Sequence, residues 1–281
     1  EVESLQELSS GSCSKYMACY LGAFASPDQS VYYIVSEFVE GTSLTNVIER
    51  FGSGALDPNK MWSIYAQLIL GLEYIHEHGY AHRDIKPDNI MVTSDFTIKY
   101  IDFGLACVGI CRTMGCSNLC GGRGGTRLYM PPEYMSADYN TIVSTVGGLD
   151  LAKAHDIWSL GVVMWNLACG SYPYHYNNSY SEIDINRSIF AAPSINPSYY
   201  ADDGRTNRFL NTVVVNLWYA RPNIFQVKHA LLSILIAPIY NGPSDQETTE
   251  ILDQNTMNVV DTDLGIVNGA NVRVNPTYNG S

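Results

Sequence analysis

His82-Arg83-Asp84-Ile85-Lys86-Pro87-Asp88-Asn89, with Asp102-Phe103-Gly104 downstream of it, is the stretch that decides how the rest of the chain is read. Phosphoryl transfer asks a protein mainly for positioning and charge stabilisation: oxygen donors for a metal, a cation beside the migrating group, and a base for the hydroxyl proton. Residues 82–104 contain all three. Asp84 is the candidate base. Lys86 can set its ammonium beside a γ-phosphate, and Asn89 and Asp102 offer the hard oxygens that suit Mg2+. Each piece alone has a plain reading, a chance tripeptide or a capped turn. Their joint order and spacing argue for a site.

The local pattern places these residues at strand ends and loops. Residues 90–92 and 98–101 read as two short strands around a turn at Ser94-Asp95. Upstream, Pro58 opens a helical pattern with Met61, Tyr65, Leu68, Leu72 and Ile75 spaced by three and four, and Gly79 is a suitable stop. Val2, Leu5 and Leu8 share one face of a short N-terminal helix, and residues 31–35 read as a buried strand. Further helices are expected over 156–168 and 224–235.

Taken together, residues 82–104 resemble the eukaryotic protein-kinase family, and Lys two places after the candidate base in Asp-Ile-Lys-Pro-Asp-Asn resembles its serine/threonine type. The resemblance implies an α+β, protein-kinase-like fold with a mostly helical large C-terminal lobe and a partial small β lobe. It divides the chain into 1–38 (the rest of the small lobe), 39–238 (the large lobe) and 239–281 (an acidic, Asn-rich tail expected to be disordered). It further implies ATP and Mg2+ as cofactors and a protein with a Ser or Thr acceptor as partner.

Other family markers stand downstream in order. Residues 125–133, ending Met130-Pro131-Pro132-Glu133, resemble the end of an activation segment, with Thr126 expected near Asp84 and Lys86. Asp156-Ile157-Trp158-Ser159-Leu160-Gly161 resembles the central helix of the large lobe, and Arg221 stands where the family places the partner of Glu133. Upstream, residues 37–41 resemble the hinge. Adenine would bond the backbone at Glu37 and Val39, with Ser36 as a small gatekeeper, Met91 beneath the ring and Lys86 at the phosphates. Ser43 joins this nucleotide side, where relatives that prefer basic substrates often keep a Glu. The strand 100–107 and the tail also vaguely resemble kinases of large DNA viruses.

Two family elements, the Gly-rich phosphate loop and the strand Lys, are absent from the 281 residues. Glu1, with Glu3 as a second candidate, resembles the helix Glu that pairs with that Lys. The chain therefore reads as truncated, and these residues alone are expected to turn over ATP slowly or not at all. A pseudokinase or kinase-fold binding module is the alternative, and a small-molecule phosphotransferase a third.

Four of the seven cysteines, Cys107, Cys111, Cys116 and Cys120, fall within fourteen residues after Asp102-Phe103-Gly104. Arg83 before the base implies a segment ordered by a phosphorylated residue, yet the usual position is Gly122; Thr113 and Ser117 are the nearest hydroxyls upstream. Three readings stand: reduced thiols, a Zn2+ ion held by all four thiolates, or a redox disulfide pair. An odd total of seven does not read as a disulfide framework.

Composition narrows the classes. A net charge of −12, with 16% charged residues, argues against phosphate-backbone binding, so no nucleic-acid partner is expected. The longest apolar stretches, 160–169 and 230–240, fall short of the roughly 20 residues that span a bilayer. The N-terminal residues show no secretory pattern, and a cytoplasmic location is expected.

Overall fold

The computed structural model describes residues 2–11, 13–51, 56–109, 120–192, 204–240, 266–267 and 271–272. The helix α1 (Val2–Leu8) leads into an antiparallel pair, β1 (Tyr20–Ala25) and β2 (Tyr32–Ser36). After residues 37–41 come β3 (Thr42–Ser43), α2 (Leu44–Phe51), α3 (Pro58–Glu77) and β4 (Tyr80–Ala81). Next stand β5 (Ile90–Val92), β6 (Ile98–Tyr100) and β7 (Cys107–Val108). The remainder is helical: α4 (Tyr139–Val146), α5 (Gly148–Cys169), α6 (Glu182–Phe190), α7 (Arg205–Val213) and α8 (Ile224–Tyr240), with a last small pair, β8 (Ile266–Val267) and β9 (Asn271–Val272). The fold is α+β. Among the described residues no helix is long and apolar enough to cross a membrane.

Two helices make the core. Asp57 caps α3, its carboxylate accepting from the amides of Asn59 and Lys60, and Pro58 sits at the first turn, where its missing N–H costs nothing. Helix α3 is buried nearly all round, which suits a central element rather than an amphipathic surface helix. Helix α5 is buried in the same way and ends at Gly170, whose left-handed φ of 63° closes the last turn. It begins eight residues before the expected start at 156, because 148–155 packs beneath β4 and β7 instead of forming a loop. Tyr65 donates from α3 to the carbonyl of Met164 on α5 at 2.6 Å. Trp62, Trp158 and Trp165 are almost wholly buried between the helices. Each such side chain contributes about 1.5–3 kcal/mol of burial or more.

Short sheets hang the loops on this core. The three-stranded sheet runs β3-β5-β6, with Ser43 opposite Met91 and Met91 opposite Lys99. Gln67 of α3 serves its turn, accepting from Ile98 N and donating to Phe96 O. Strands β4 and β7 pair so that Ala81 faces Cys107.

One expectation fails outright. The strand of residues 31–35 forms as β2, but it is exposed, with Tyr32 75% accessible, and Phe38 just beyond it 88% accessible. Its β-branched and aromatic content favours a strand by local packing on β1, where Phe24 stacks on Tyr33 at 4.9 Å. Among the described residues nothing covers either face.

Glu133 and Arg221 form a two-pronged pair at 2.8 and 3.1 Å, both side chains nearly inaccessible. Arg221 spends its remaining donors on the carbonyls of Ala154, Val215 and Asn216 and lies over the Trp158 ring. Replacing it by an apolar residue strands a buried carboxylate. Arg221→Met is expected to lower the unfolding free energy by about 3–5 kcal/mol in urea titrations, whereas a loss below about 1 kcal/mol would mean the pair is not structural.

Candidate active site

The loop between β4 and β5 is pinned from below by one carboxylate. Asp156, on α5 and fully buried, accepts from the amides of His82 (Oδ2, 2.7 Å) and Arg83 (Oδ1, 2.7 Å) and from His76 Nε2 (2.9 Å). Burial pushes the Asp156 carboxyl up, but the hydrogen bond from His76 and its neighbours' influence hold it below the usual carboxylate value. Burial conversely holds His76 below the usual histidine value, so the contact is a neutral Nε2–H donating to a carboxylate rather than an ion pair. His82 is also buried and pushed down; its Nε2 meets the carbonyl of Ile101 at 3.2 Å and its Nδ1 accepts from Asp84 N at 3.3 Å. Its ring packs against buried Phe103 at 4.9 Å. Thus one histidine joins the 82–89 loop to the 101–104 turn.

Above this anchor three expected residues meet. Lys86 Nζ lies 2.8 Å from Asp84 Oδ2 and 2.9 Å from Thr126 Oγ1, and the Thr126 hydroxyl donates to Asp84 Oδ1 at 2.8 Å. Burial raises the Asp84 carboxyl, but hydrogen bonds from Lys86 and Thr126, with the Lys86 charge, bring it net below the ordinary value. Asn89 Nδ2 donates to the Asp84 carbonyl (2.9 Å) and Oδ2 (3.0 Å). Its nitrogen is therefore committed, and its oxygen is left as the donor for a cation. Ile101 N bonds the Asn89 carbonyl at 3.0 Å, which brings Asp102 to the same side. Asp102 is exposed and one of its oxygens accepts from Gly104 N at 3.2 Å.

Arg83 and Asp102 have φ of 68° and 59°, two of the four non-glycine residues in the left-handed region among those described. That conformation costs about 1–2 kcal/mol each. It is sustained by the Asp156 anchor at one and by the Gly104 amide at the other, as backbone strain at a working site usually is.

On the opposite side, Glu37 N donates to Cys19 O at 2.8 Å, and its carboxylate pairs with Lys99 at 2.8 Å. Val39 is buried, and its amide and carbonyl make no hydrogen bond among the described residues. Met91 and Ser43 stand side by side as cross-strand neighbours, while Ser36 is exposed at the end of β2. Glu1 lies outside the described residues, as do Thr113 and Ser117.

The cysteines correct the sequence reading twice. Cys107 and Cys120 are joined in a disulfide, with Cα atoms 5.1 Å apart, and Cys13 and Cys19 form a second. A disulfide sulfur is no thiolate, so the four-cysteine Zn2+ site over Cys107, Cys111, Cys116 and Cys120 does not form. Cys111 and Cys116 lie outside the described residues, and no metal-binding group of three or more His, Cys, Asp or Glu occurs among those described. An odd total did not preclude pairing; among the described cysteines Cys169 is buried and belongs to neither disulfide. The pairing follows from tertiary placement: the β4–β7 bridge sets Cys107, and Cys120 N bonds Val108 O at 3.2 Å.

Among the described residues Arg83 meets a carbonyl. Its Nη2 donates to the Gly122 carbonyl, which Tyr139 also engages at 3.2 Å, and its Nε is buried without a partner. Gly125 has φ of 114°, and a Cβ there would fall 2.6 Å from the Arg83 carbonyl, so only glycine fits. His76, His155 and the disulfide partner Cys13 carried no motif; the roles of the two histidines appear only once distant segments meet, whereas Cys13 bonds Cys19 only six residues on.

The family model described as a protein kinase domain matches residues 1–231. The chain belongs to the protein kinase family. Among its relatives, a calcium/calmodulin-dependent protein kinase kinase of Caenorhabditis elegans is 32% identical over 148 residues, covering 53% of this chain and 25% of that protein. CBL-interacting protein kinase 2 of Oryza sativa subsp. japonica is 32% identical over 173 residues, 62% of this chain and 35% of that protein. CBL-interacting protein kinase 11 of the same rice is 28% identical over 214 residues, 72% of this chain and 39% of that protein. The kinase chain thus spans well under half the length of these relatives.

The buried histidines give this kinase domain a pH signature. Burial, with Arg83 and Arg221 nearby, outweighs the pull of Asp156 and holds His155 down to about 3. An unfolded histidine titrates near 6.5, so the unfolded chain takes up the proton first. The stability from a neutral buried His155 is complete above about pH 6.5 and is lost as pH falls toward the folded value. His76 and His82 act in the same direction. Urea unfolding is expected to show stability falling from pH 7 to pH 5, with a shallower fall in His155→Leu by up to about 1.4 kcal/mol per pH unit. Identical slopes would contradict this account.

Proposed function

We propose that the chain is catalytic-domain sequence of an ATP-dependent protein serine/threonine kinase, moving the γ-phosphoryl of ATP to a protein hydroxyl. The observation that carries this reading is the closed triangle of Asp84, Lys86 and Thr126. Asp84 already accepts from one hydroxyl, that of Thr126, and is held ionised at neutral pH. A substrate Ser or Thr hydroxyl approaching the same carboxylate would be oriented by it and would lose its proton to it late in the transfer. A weak base suffices, because the transition state of phosphoryl transfer is loose and positioning dominates. Lys86 offers its ammonium to the transferring group, and Thr126 keeps both side chains in place.

Asn89 and Asp102 would hold Mg2+, whose chemistry is to neutralise charge on the phosphate oxygens. They fit it, since Mg2+ takes one or two protein oxygens and completes its shell with phosphate and water. Adenine would use the Glu37 carbonyl and the unengaged Val39 backbone, between Met91 and the cleft wall, with Ser43 on the ribose side. Glu133, Arg221, Asp156 and Arg83 are structural supports in this scheme, and Glu1 would join them as the helix glutamate.

The acceptor would be a protein and the compartment the cytoplasm, where a disulfide is usually transient or redox-sensing rather than a permanent staple. A module that binds ATP–Mg2+ without transfer is the second reading. Transfer from γ-labelled ATP to a serine-containing protein, by a chain that also carries a Gly-rich loop and strand Lys upstream of residue 1, separates the two. The kinase reading expects measurable transfer that falls at least about 100-fold in Asp84→Asn. Nucleotide binding with no transfer supports the module, and an undiminished rate in Asp84→Asn removes Asp84 as the base.

A further inference from the structure

The Cys107–Cys120 disulfide is set between the loop that carries Asp84 and the segment that carries Thr126. Cys107 pairs across β4–β7 with Ala81, the residue immediately before His82. Cys120 stands thirteen residues later in the chain, with its amide on the Val108 carbonyl. The two cysteines, with Ala81, Ala152 and Leu149, form a small apolar cluster of their own. The seat is shaped for them: a Cβ at Gly148 would fall 1.9 Å from the Cys120 carbonyl, and one at Gly109 would fall 2.7 Å from Leu149.

Besides the disulfide, the segment after Cys120 is held by Tyr139 on the Gly122 carbonyl at 3.2 Å and by Arg123, which donates to the Ser136 carbonyl at 2.7 Å and lies over the Tyr139 ring. Gly121, Gly122, Gly124 and Gly125 occupy four of the next five positions, and glycine gains the most backbone freedom when released. Arg83 engages this stretch through a neutral carbonyl, a weaker hold than an ion pair. One residue after Gly125, Thr126 closes the triangle with Asp84 and Lys86.

We propose that the Cys107–Cys120 disulfide is a redox-sensitive positioning clamp, which when oxidised seats Gly122 on Arg83 and Thr126 on Asp84, and when reduced by a dithiol releases both. Cys120 is half-buried and Cys107 buried, so the reductant's thiolate attacks Sγ of Cys120. The S–S bond breaks, and Cys107 leaves with the bonding electron pair and takes up a proton. The reductant's second thiol then displaces Sγ of Cys120, which leaves as a thiol, and the reductant ends as its own internal disulfide. Two electrons and two protons pass from the dithiol to the two cysteines. The consequence for transfer rests on the kinase reading; the clamp itself does not.

The test compares the oxidised chain, the same chain treated with dithiothreitol, and Cys107→Ser/Cys120→Ser, which leaves Cys13–Cys19 intact. Amide exchange over residues 121–127 is expected to quicken about tenfold in the reduced chain and in the double variant relative to the oxidised chain. In a chain extended upstream to carry the Gly-rich loop and strand Lys, transfer should fall by about the same factor through kcat with little change in KM for ATP, the mark of lost positioning rather than lost binding. Equal exchange in the oxidised and reduced chains would overturn the clamp, as would alkylation of Cys107 and Cys120 by iodoacetamide without prior reduction. Should the double variant fail to fold, the oxidised and reduced chains decide the question alone. Exchange that responds to reduction with no transfer in any form of the extended chain sinks the kinase reading and leaves the clamp. Measurable transfer with exchange indifferent to reduction does the reverse.

Discussion

A single carboxylate, that of Asp156, sits at the centre of the large lobe with no access to water and three N–H donors aimed at it. An ionised carboxylate in such a place is costly unless its lone pairs are met, and a site that meets them is geometrically demanding. The backbone must turn so that consecutive amides, at His82 and Arg83, both point inward. That requirement puts Arg83 in the left-handed region and presents Asp84 on the far side of the loop. The position of the candidate base is therefore a consequence of how a buried charge on α5 is solvated by peptide groups. His76 contributes its proton as a neutral ring, so the network carries one net charge and not a balanced pair.

From this point outward, the site is built by short reaches between rigid pieces. His82 ties the loop to the Ile101–Gly104 turn, Asn89 ties it to Asp84, and Thr126 and Lys86 close the triangle. Apart from Thr126, none of these groups lies on a long loop of its own. Each is within a few residues of a strand or of the buried α3 and α5 helices, so small rotations of side chains cannot scatter the constellation. The 120–126 segment is the exception, with four glycines and few polar anchors, and there a covalent bond and a close-fitting seat at Gly148 replace the side-chain contacts used elsewhere. Glu133 and Arg221 then fix its far end to α5 through a buried, fully bonded guanidinium.

The chain shows clearly where local reasoning holds. The α3 helix is recognisable from its Asp57-Pro58 start and its three-four spacing, because capping and periodicity act within a few residues. The β5 and β6 strands and the Asp84, Lys86, Asn89 and Asp102 set are legible for the same reason. The Glu133 and Arg221 partnership is legible through family resemblance alone, since 88 residues separate the two and no local pattern links them. Local content misleads at β2, where β-branched and aromatic residues signal a strand correctly but say nothing of what covers it.

Residue type and near-neighbour spacing were enough to point to the family, to the α3 helix and to the charged and polar side chains that meet around Asp84. Only the tertiary structure decided that Cys107 bonds Cys120, that Arg83 donates to the Gly122 carbonyl, and that His76 and His155 are buried neutral around Asp156. Those outcomes depend on distances between segments far apart in the chain and on exclusion of water from the space between them. A one-dimensional pattern records neither.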